Sequence, residues 1–238
     1  GSIPGTDIQV NTYTTNTQTS PAVAMSAAGD FVVVWSGAGA SDGTGIYAQR
    51  YNSAGTKVGS EFRVNTYTTS TQEGASVAMD AAGNFVVVWQ SNGQDGASYG
   101  VYAQRYDSSG TALGGEFRVN DFTTSGQLRP DVAMDADGDF FVVWNSNNQI
   151  GTTYEIFGKR YNSAGVELGS EFHVNTTTTS TQQNASVAMD AAGNAVVAWW
   201  SFRPSQDIFA QRYDSTGAAA GGEFLVSSDG APPQDNPE

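Results

Sequence analysis

The chain of 238 residues contains no cysteine, which excludes disulfides, thiolate nucleophiles and zinc-thiolate sites together. Charge is also scarce. Asp, Glu, Lys and Arg make up 14% of the residues, against roughly 25% in an ordinary globular protein. What charge there is leans one way: 10 Lys and Arg stand against 24 Asp and Glu, a formal net charge of -14. The phosphates of nucleic acid and the surface of anionic lipid are therefore repelled. No apolar run approaches the ~20 residues of a membrane-spanning helix, and no basic-then-apolar leader opens the chain. Neither nucleic-acid binding nor membrane insertion is expected.

What the chain has in place of these is a fourfold repeat of about 55 residues, a period that signals one supersecondary unit per copy. The same tryptophan recurs at Trp35, Trp89, Trp144 and Trp199, and an Arg-Tyr pair at Arg50-Tyr51, Arg105-Tyr106, Arg160-Tyr161 and Arg212-Tyr213. In the second copy four segments read as strands: Ser76-Val77-Ala78-Met79, Phe85 to Trp89, Val101 to Tyr106 and Glu116 to Val119. Each is β-branched or aromatic in character and bounded by turn residues. Gly83 and Gly110 fall where hairpins need a positive φ. No segment has a helical apolar period. The second strand is apolar almost throughout and belongs inside a sheet covered on both faces, whereas the fourth alternates and belongs at a wetter edge. The fold class is all-β: a β-propeller of four-stranded antiparallel blades. An extended β-solenoid fits less well, since its coil is far shorter.

Residues 1–6 read as a short leader, 7–227 as one propeller domain with repeats of about 7–60, 61–115, 116–170 and 171–227, and 228–238 as a linker-like tail rich in proline and polar residues. The separation from Val10, Val64, Val119 and Val174 to the following tryptophan is always 25, and from the repeat tyrosine to the next glutamate always 10. Only the stretch from tryptophan to tyrosine varies, at 16, 17, 17 and 14 residues. All length change thus sits in the loop between the second and third strands, and a rigid scaffold with one variable rim is a common way to build a binding surface. Residues 7–11 copy the fourth strand, as does the segment from Glu223 to Ser227, so fourth strands outnumber the others by one. Ring closure by a terminal strand, a larger array and self-association through the end blades all follow from that surplus.

With strings such as V-N-T-Y-T-T-S-T-Q, V-A-M-D-A-A-G-N-F-V-V-V-W and Y-A-Q-R-Y-D-S-S-G, the chain resembles the tandem propeller-type repeats of large secreted or surface-attached bacterial proteins, the adhesin-like and integrin-like arrays. The resemblance implies an extracellular or cell-surface location and a role in adhesion or glycan recognition. It also implies calcium as the cofactor to look for. The best match to an integrin-like calcium loop is Asp135-Ala136-Asp137-Gly138-Asp139, so Asp135, Asp137 and Asp139 are the candidate ligands. The final carboxylate of that pattern is missing, and calcium takes six to eight oxygens.

The four tryptophans end an apolar strand at one phase and read as blade packing or as a stacking platform. The repeat arginines read as ion pairs with Glu61, Glu116, Glu171 and Glu223, or as an anion site. The N-x-x-T-T-x-x-Q signature, exemplified by Asn65, Thr68, Thr69 and Gln72, either satisfies the backbone of the crossover between blades or binds sugar hydroxyls. His173, the only histidine, falls at an outward edge position, and no acid-base pair stands out among the carboxylates. Ligand contacts are expected on the variable rim, at Asp42, Asp95, Tyr99, Tyr154, Trp200, Phe202, Arg203 and Asp207, where aromatics mix with polar groups suited to a glycan. The function read from the sequence is a non-catalytic extracellular binding module, not an enzyme. The alternatives are a structural spacer without a ligand and a calcium-binding module.

Overall fold

The structure is a computed structural model and describes residues 7–39, 44–202 and 206–227. Sixteen strands form four antiparallel sheets with no helix among the described residues. Blade 1 is β1 (Gln18–Met25), β2 (Phe31–Gly37), β3 (Gly45–Tyr51) and β4 (Lys57–Arg63), in that spatial order. Blade 2 is β5 (Gln72–Met79), β6 (Phe85–Asn92), β7 (Tyr99–Tyr106) and β8 (Phe117–Arg118). Blade 3 is β9 (Gln127–Met134), β10 (Phe140–Asn147), β11 (Tyr154–Tyr161) and β12 (Phe172–His173). Blade 4 is β13 (Gln182–Met189), β14 (Ala195–Phe202), β15 (Gln206–Tyr213) and β16 (Phe224–Leu225). β1 packs on β5, β5 on β9 and β9 on β13, so the first strand of each blade lines the axis of a four-bladed β-propeller.

The second strands are the core, as their apolar runs require. Val86, Val87, Val88 and Trp89 are buried, and their two faces serve different neighbours: Val87 and Trp89 pack with Val32, Val34 and Ala48 of blade 1, while Val86 and Val88 pack with Phe140, Val142 and Trp144 of blade 3. Burying a large apolar side chain is worth about 1.5 to 3 kcal/mol, and alternate residues of one strand stabilise both boundaries at once.

The crossover signature is structural. Gln18, Gln127 and Gln182 each accept the indole N–H of their own blade's tryptophan, at 2.9, 3.0 and 3.1 Å. Asn65, Asn120 and Asn175 each accept a backbone N–H from the first half of the preceding third strand, that of Ile46, Val101 and Ile156, at 2.7 Å. Their amide groups then donate to the crossover carbonyls of Tyr67, Phe122 and Thr177. Buried backbone polar groups must be paired, and one amide side chain does this for two segments.

The expected Arg-Glu ion pairs do not form. Three of the four arginines instead reach the hairpin between the third and fourth strands of the next blade: Arg50 donates to Ser108 O at 2.6 Å, Arg105 to Ala164 O and Ser163 O at 2.6 Å, and Arg160 to Ser215 O at 2.8 Å. The glycine of that hairpin makes room, because a Cβ at Gly110 or Gly165 would lie 2.7 or 2.5 Å from the guanidinium. The glutamates accept the N–H of the residue after the crossover asparagine, as in Thr66 N to Glu116 Oε2 at 2.6 Å. Nor is His173 an outward residue: it is half-buried, stacks on Phe157 at 5.2 Å and sets Nε2 3.5 Å from a carboxylate oxygen of the buried Glu155.

Candidate functional site

The four axial strands read QTSPAVAM, QEGASVAM, QLRPDVAM and QQNASVAM. Glutamine, valine, alanine and methionine are invariant, and the four residues between Gln and Val change from copy to copy, except that blades 1 and 3 share a proline and blades 2 and 4 share an Ala-Ser pair. The invariant residues serve the blade. The variable window faces the axis, and there the strand bulges. Ser20, Gly74, Arg129 and Asn184 occupy the left-handed region at φ 50, 65, 52 and 55°, and the register of each inner strand with its neighbour shifts at this point. Left-handed backbone costs energy for any residue but glycine. It persists because the bulge is held across the blade boundary: Gly74 N donates to Ser36 Oγ at 3.0 Å, Arg129 N to Gln90 Oε1 at 2.7 Å and Asn184 N to Asn145 Oδ1 at 3.1 Å. The acceptor in each case is the residue after the blade tryptophan.

These windows line an open cavity of about 660 Å³ on the propeller axis, to which all four blades contribute. Two carboxylates from adjacent blades enter it. Asp131 is fixed by three donors: the Ser76 hydroxyl at 2.7 Å on Oδ1, and the Ser186 hydroxyl at 3.1 Å and Val187 N at 2.9 Å on Oδ2. Glu73 accepts from Gln90 Nε2 at 3.1 Å. Burial, followed by the charge of the Glu73 carboxylate, pushes the Tyr99 pKa up, so the phenol keeps its proton. Among the described residues Arg129 is the one cation in the wall, and it donates to Asn184 Oδ1. The set is polar, convergent and different in each blade, as a binding or catalytic site requires.

None of the described rim residues expected to meet a ligand lines this cavity; Tyr99 stands beside Glu73, which does. Asp95 accepts Ala97 N at 3.2 Å within its own loop, and Tyr154 opens β11 opposite Asn147. Trp200 and Phe202 lie together, ring centroids 6.2 Å apart, on blade 4, the last of the described blades. Asp207 pairs with Ser201 in the blade 4 ladder and accepts the Ser227 hydroxyl at 3.2 Å. Asp42 and Arg203 lie outside the described residues. In the candidate calcium loop, Asp135 Oδ1 accepts Asp137 N and Asp139 N at 3.0 and 2.9 Å, and Asp139 Oδ1 accepts Ser163 N at 2.8 Å. Asp80 holds the equivalent hairpin of blade 2 in the same way. Among the described residues no group of three or more His, Asp or Glu is placed to hold a metal ion.

No family model matches the chain, and no curated protein matches it in sequence. Solved structures match in fold. A protein of unknown function from Dyadobacter fermentans aligns with a TM-score of 0.64 at 11% identity, over 91% of this chain and 71% of that one. A thermostable family-43 glycoside hydrolase aligns at 0.54 and 12%, over 92% and 77%, and an α-L-arabinofuranosidase from Lactobacillus brevis at 0.51 and 12%, over 84% and 75%. The shared feature is the propeller. These neighbours overturn the expectation of a non-catalytic module that is not an enzyme. That reading rested on repetition, since blades repeated four times argue for one physical role performed four times. Glycoside hydrolases occur on the same architecture, and in this chain the axial windows escape the repetition, placing Glu73, Arg129, Asp131 and Asn184 where the other copies hold different groups.

Proposed function

We propose that the protein is a carbohydrate-active enzyme that hydrolyses a glycosidic bond in the axial cavity, with Glu73 and Asp131 as its working carboxyl groups. The observation that carries this reading is the convergence of those two side chains, from neighbouring inner strands, on one cavity. Glycoside hydrolysis needs one carboxyl group that protonates the leaving oxygen and a second that assists attack at the anomeric carbon. Both oxygens of Asp131 are already acceptors, which suits it to remain a carboxylate, stabilise positive charge at that carbon and take the proton of the attacking water. Glu73, with a single side-chain donor among the described residues and that on Oε1, is the proton donor to the leaving group. Arg129, Asn184 and Ser186 supply donors and acceptors for hydroxyls. The named activities of the structural neighbours support glycosides, arabinose-containing ones first, as the substrate class.

The test is a panel of chromogenic glycosides and oligosaccharides, arabinosides included, with wild type, Glu73→Gln and Asp131→Asn. Each substitution should lower kcat/KM by about 10²- to 10⁴-fold while the circular dichroism spectrum is kept. Turnover unaffected by both substitutions, or no turnover and no sugar binding by wild type across the panel, refutes the assignment.

A further inference from the structure

The three internal blade boundaries are built alike, and the two outermost blades carry the unmatched halves of a fourth. Val77, Val132 and Val187 are 7, 5 and 8% exposed, whereas their counterpart on β1, Val23, is 62% exposed, as is Met25. At the other end Val196 is 38% exposed where Val86 and Phe141, at the same position, are fully buried. The polar half of the boundary is split in the same way. Arg50, Arg105 and Arg160 each donate to the next blade's hairpin, while the Arg212 guanidinium makes no hydrogen bond among the described residues and is exposed. Gly110 and Gly165 press against a guanidinium, and a Cβ at Gly55 of blade 1 would meet nothing within 4 Å.

A second observation narrows the occupant. Wherever the fourth-strand motif follows a third strand, its valine N–H pairs with that strand: Val64 to Ile46 O, Val119 to Val101 O, Val174 to Ile156 O and Val226 to Ile208 O, all at 2.8 Å. Residues 7–11 carry the same motif, yet Val10 has no third strand among the described residues, because β15 already holds β16. A second intact copy of the chain offers no vacancy either, since each of its third strands is occupied by β4, β8, β12 or β16.

We infer that the gap between blade 4 and blade 1 is a docking site for one further blade of this repeat type, made of three strands that take residues 7–11 as their fourth. Such a blade would present a Val33-like face to β14 and a Val32-like face to β2, receive the Arg212 guanidinium on its hairpin, donate its own arginine to the hairpin at Gly55 and add an inner strand to the axial cavity. One occupant thus satisfies the apolar faces, the guanidinium, the empty hairpin and the unpaired strand together, by contacts already made three times in this molecule.

The experiment places a copy of residues 66–115 directly ahead of Asp7 in the full chain. The five-blade protein should melt several degrees higher and enhance the fluorescence of an apolar dye several-fold less than the four-blade chain, and Arg212→Ala should lower its melting temperature while leaving that of the four-blade chain unchanged. Equal dye binding and melting in the two proteins, or an equal effect of Arg212→Ala in both, overturns the inference. Light scattering of the unmodified chain is the second arm and does not depend on the fusion folding. A dye-binding monomer is expected; an oligomer that hides the dye sites and dissociates on Val23→Lys would mean that a second copy covers these faces, and would overturn it.

Discussion

Trp144 and Trp89 occupy equivalent places and are both fully buried, but only one has a hydrogen-bond partner. Trp144 Nε1 donates to Gln127 Oε1 at 3.0 Å, whereas Trp89 Nε1 meets no acceptor among the described residues, because Gln72 Oε1 accepts Asn65 Nδ2 at 3.3 Å instead. Replacing either tryptophan with phenylalanine removes similar packing, about 1 to 2 kcal/mol on the scale of large-to-small core changes. At position 144 the substitution also strands a buried carbonyl oxygen, since Gln127 is fully buried, at a further cost of about 1 to 3 kcal/mol. At position 89 nothing is stranded, and a buried N–H without a partner is removed. Trp144→Phe should therefore destabilise the protein by at least about 1 to 3 kcal/mol more than Trp89→Phe. Equilibrium urea unfolding followed by far-ultraviolet circular dichroism measures the difference as a shift in midpoint at constant slope. Equal losses, or a larger loss at position 89, would refute the role given to the crossover glutamine.

Two further predictions concern ionisable groups. Lys159 stands where the other blades have Gln49, Gln104 and Gln211, and its Nζ lies 2.8 Å from Asp121 and 2.7 Å from Glu167. Burial alone would lower its pKa, but the hydrogen bonds and charges of the two carboxylates outweigh burial and raise it. Lys159→Gln should cost under about 1 kcal/mol, since it removes the buried charge along with its pairs, whereas Asp121→Asn with Glu167→Gln should cost about 3 kcal/mol by leaving the charge unpaired; thermal melting of both variants decides, and the reverse order would refute the reasoning. Burial pushes the Tyr102 phenol up to about 12 and raises Tyr106, Tyr161 and Tyr213 as well. In the unfolded chain these groups ionise near 10, so above that pH the native state binds more protons and stability falls as pH rises. Absorbance at 295 nm should show them ionising together with alkaline unfolding, and free titration near pH 10 with the fold intact would contradict their burial.

Much of the fold was legible because it depends on features a sequence displays directly. Apolar second strands, glycine-bearing hairpins and invariant spacings specify four-stranded blades, and the surplus fourth strand at residues 7–11 signals the unmatched edge. The destination of Arg50, Arg105 and Arg160 was not legible, because pairing within one hairpin looks sufficient until the next blade is seen to offer carbonyls and a glycine. The axial site was missed for a related reason. Variation in loop length drew attention to the rim, while the site lies in strands of constant length, where Thr19, Glu73, Leu128 and Gln183 begin four windows that change in identity alone. The signal was present as a fourfold contrast between an invariant Q and V-A-M and the residues between them. Its meaning needed the left-handed bulge, which turns those residues toward the axis.

The most direct test of the central claim is a crystal structure of the Glu73→Gln variant soaked with arabino-oligosaccharides and other short glycans. The account predicts sugar density in the axial cavity, with a glycosidic oxygen beside residue 73 and the neighbouring anomeric carbon facing Asp131. Density confined to the loops between second and third strands, with the cavity free of sugar, would contradict it.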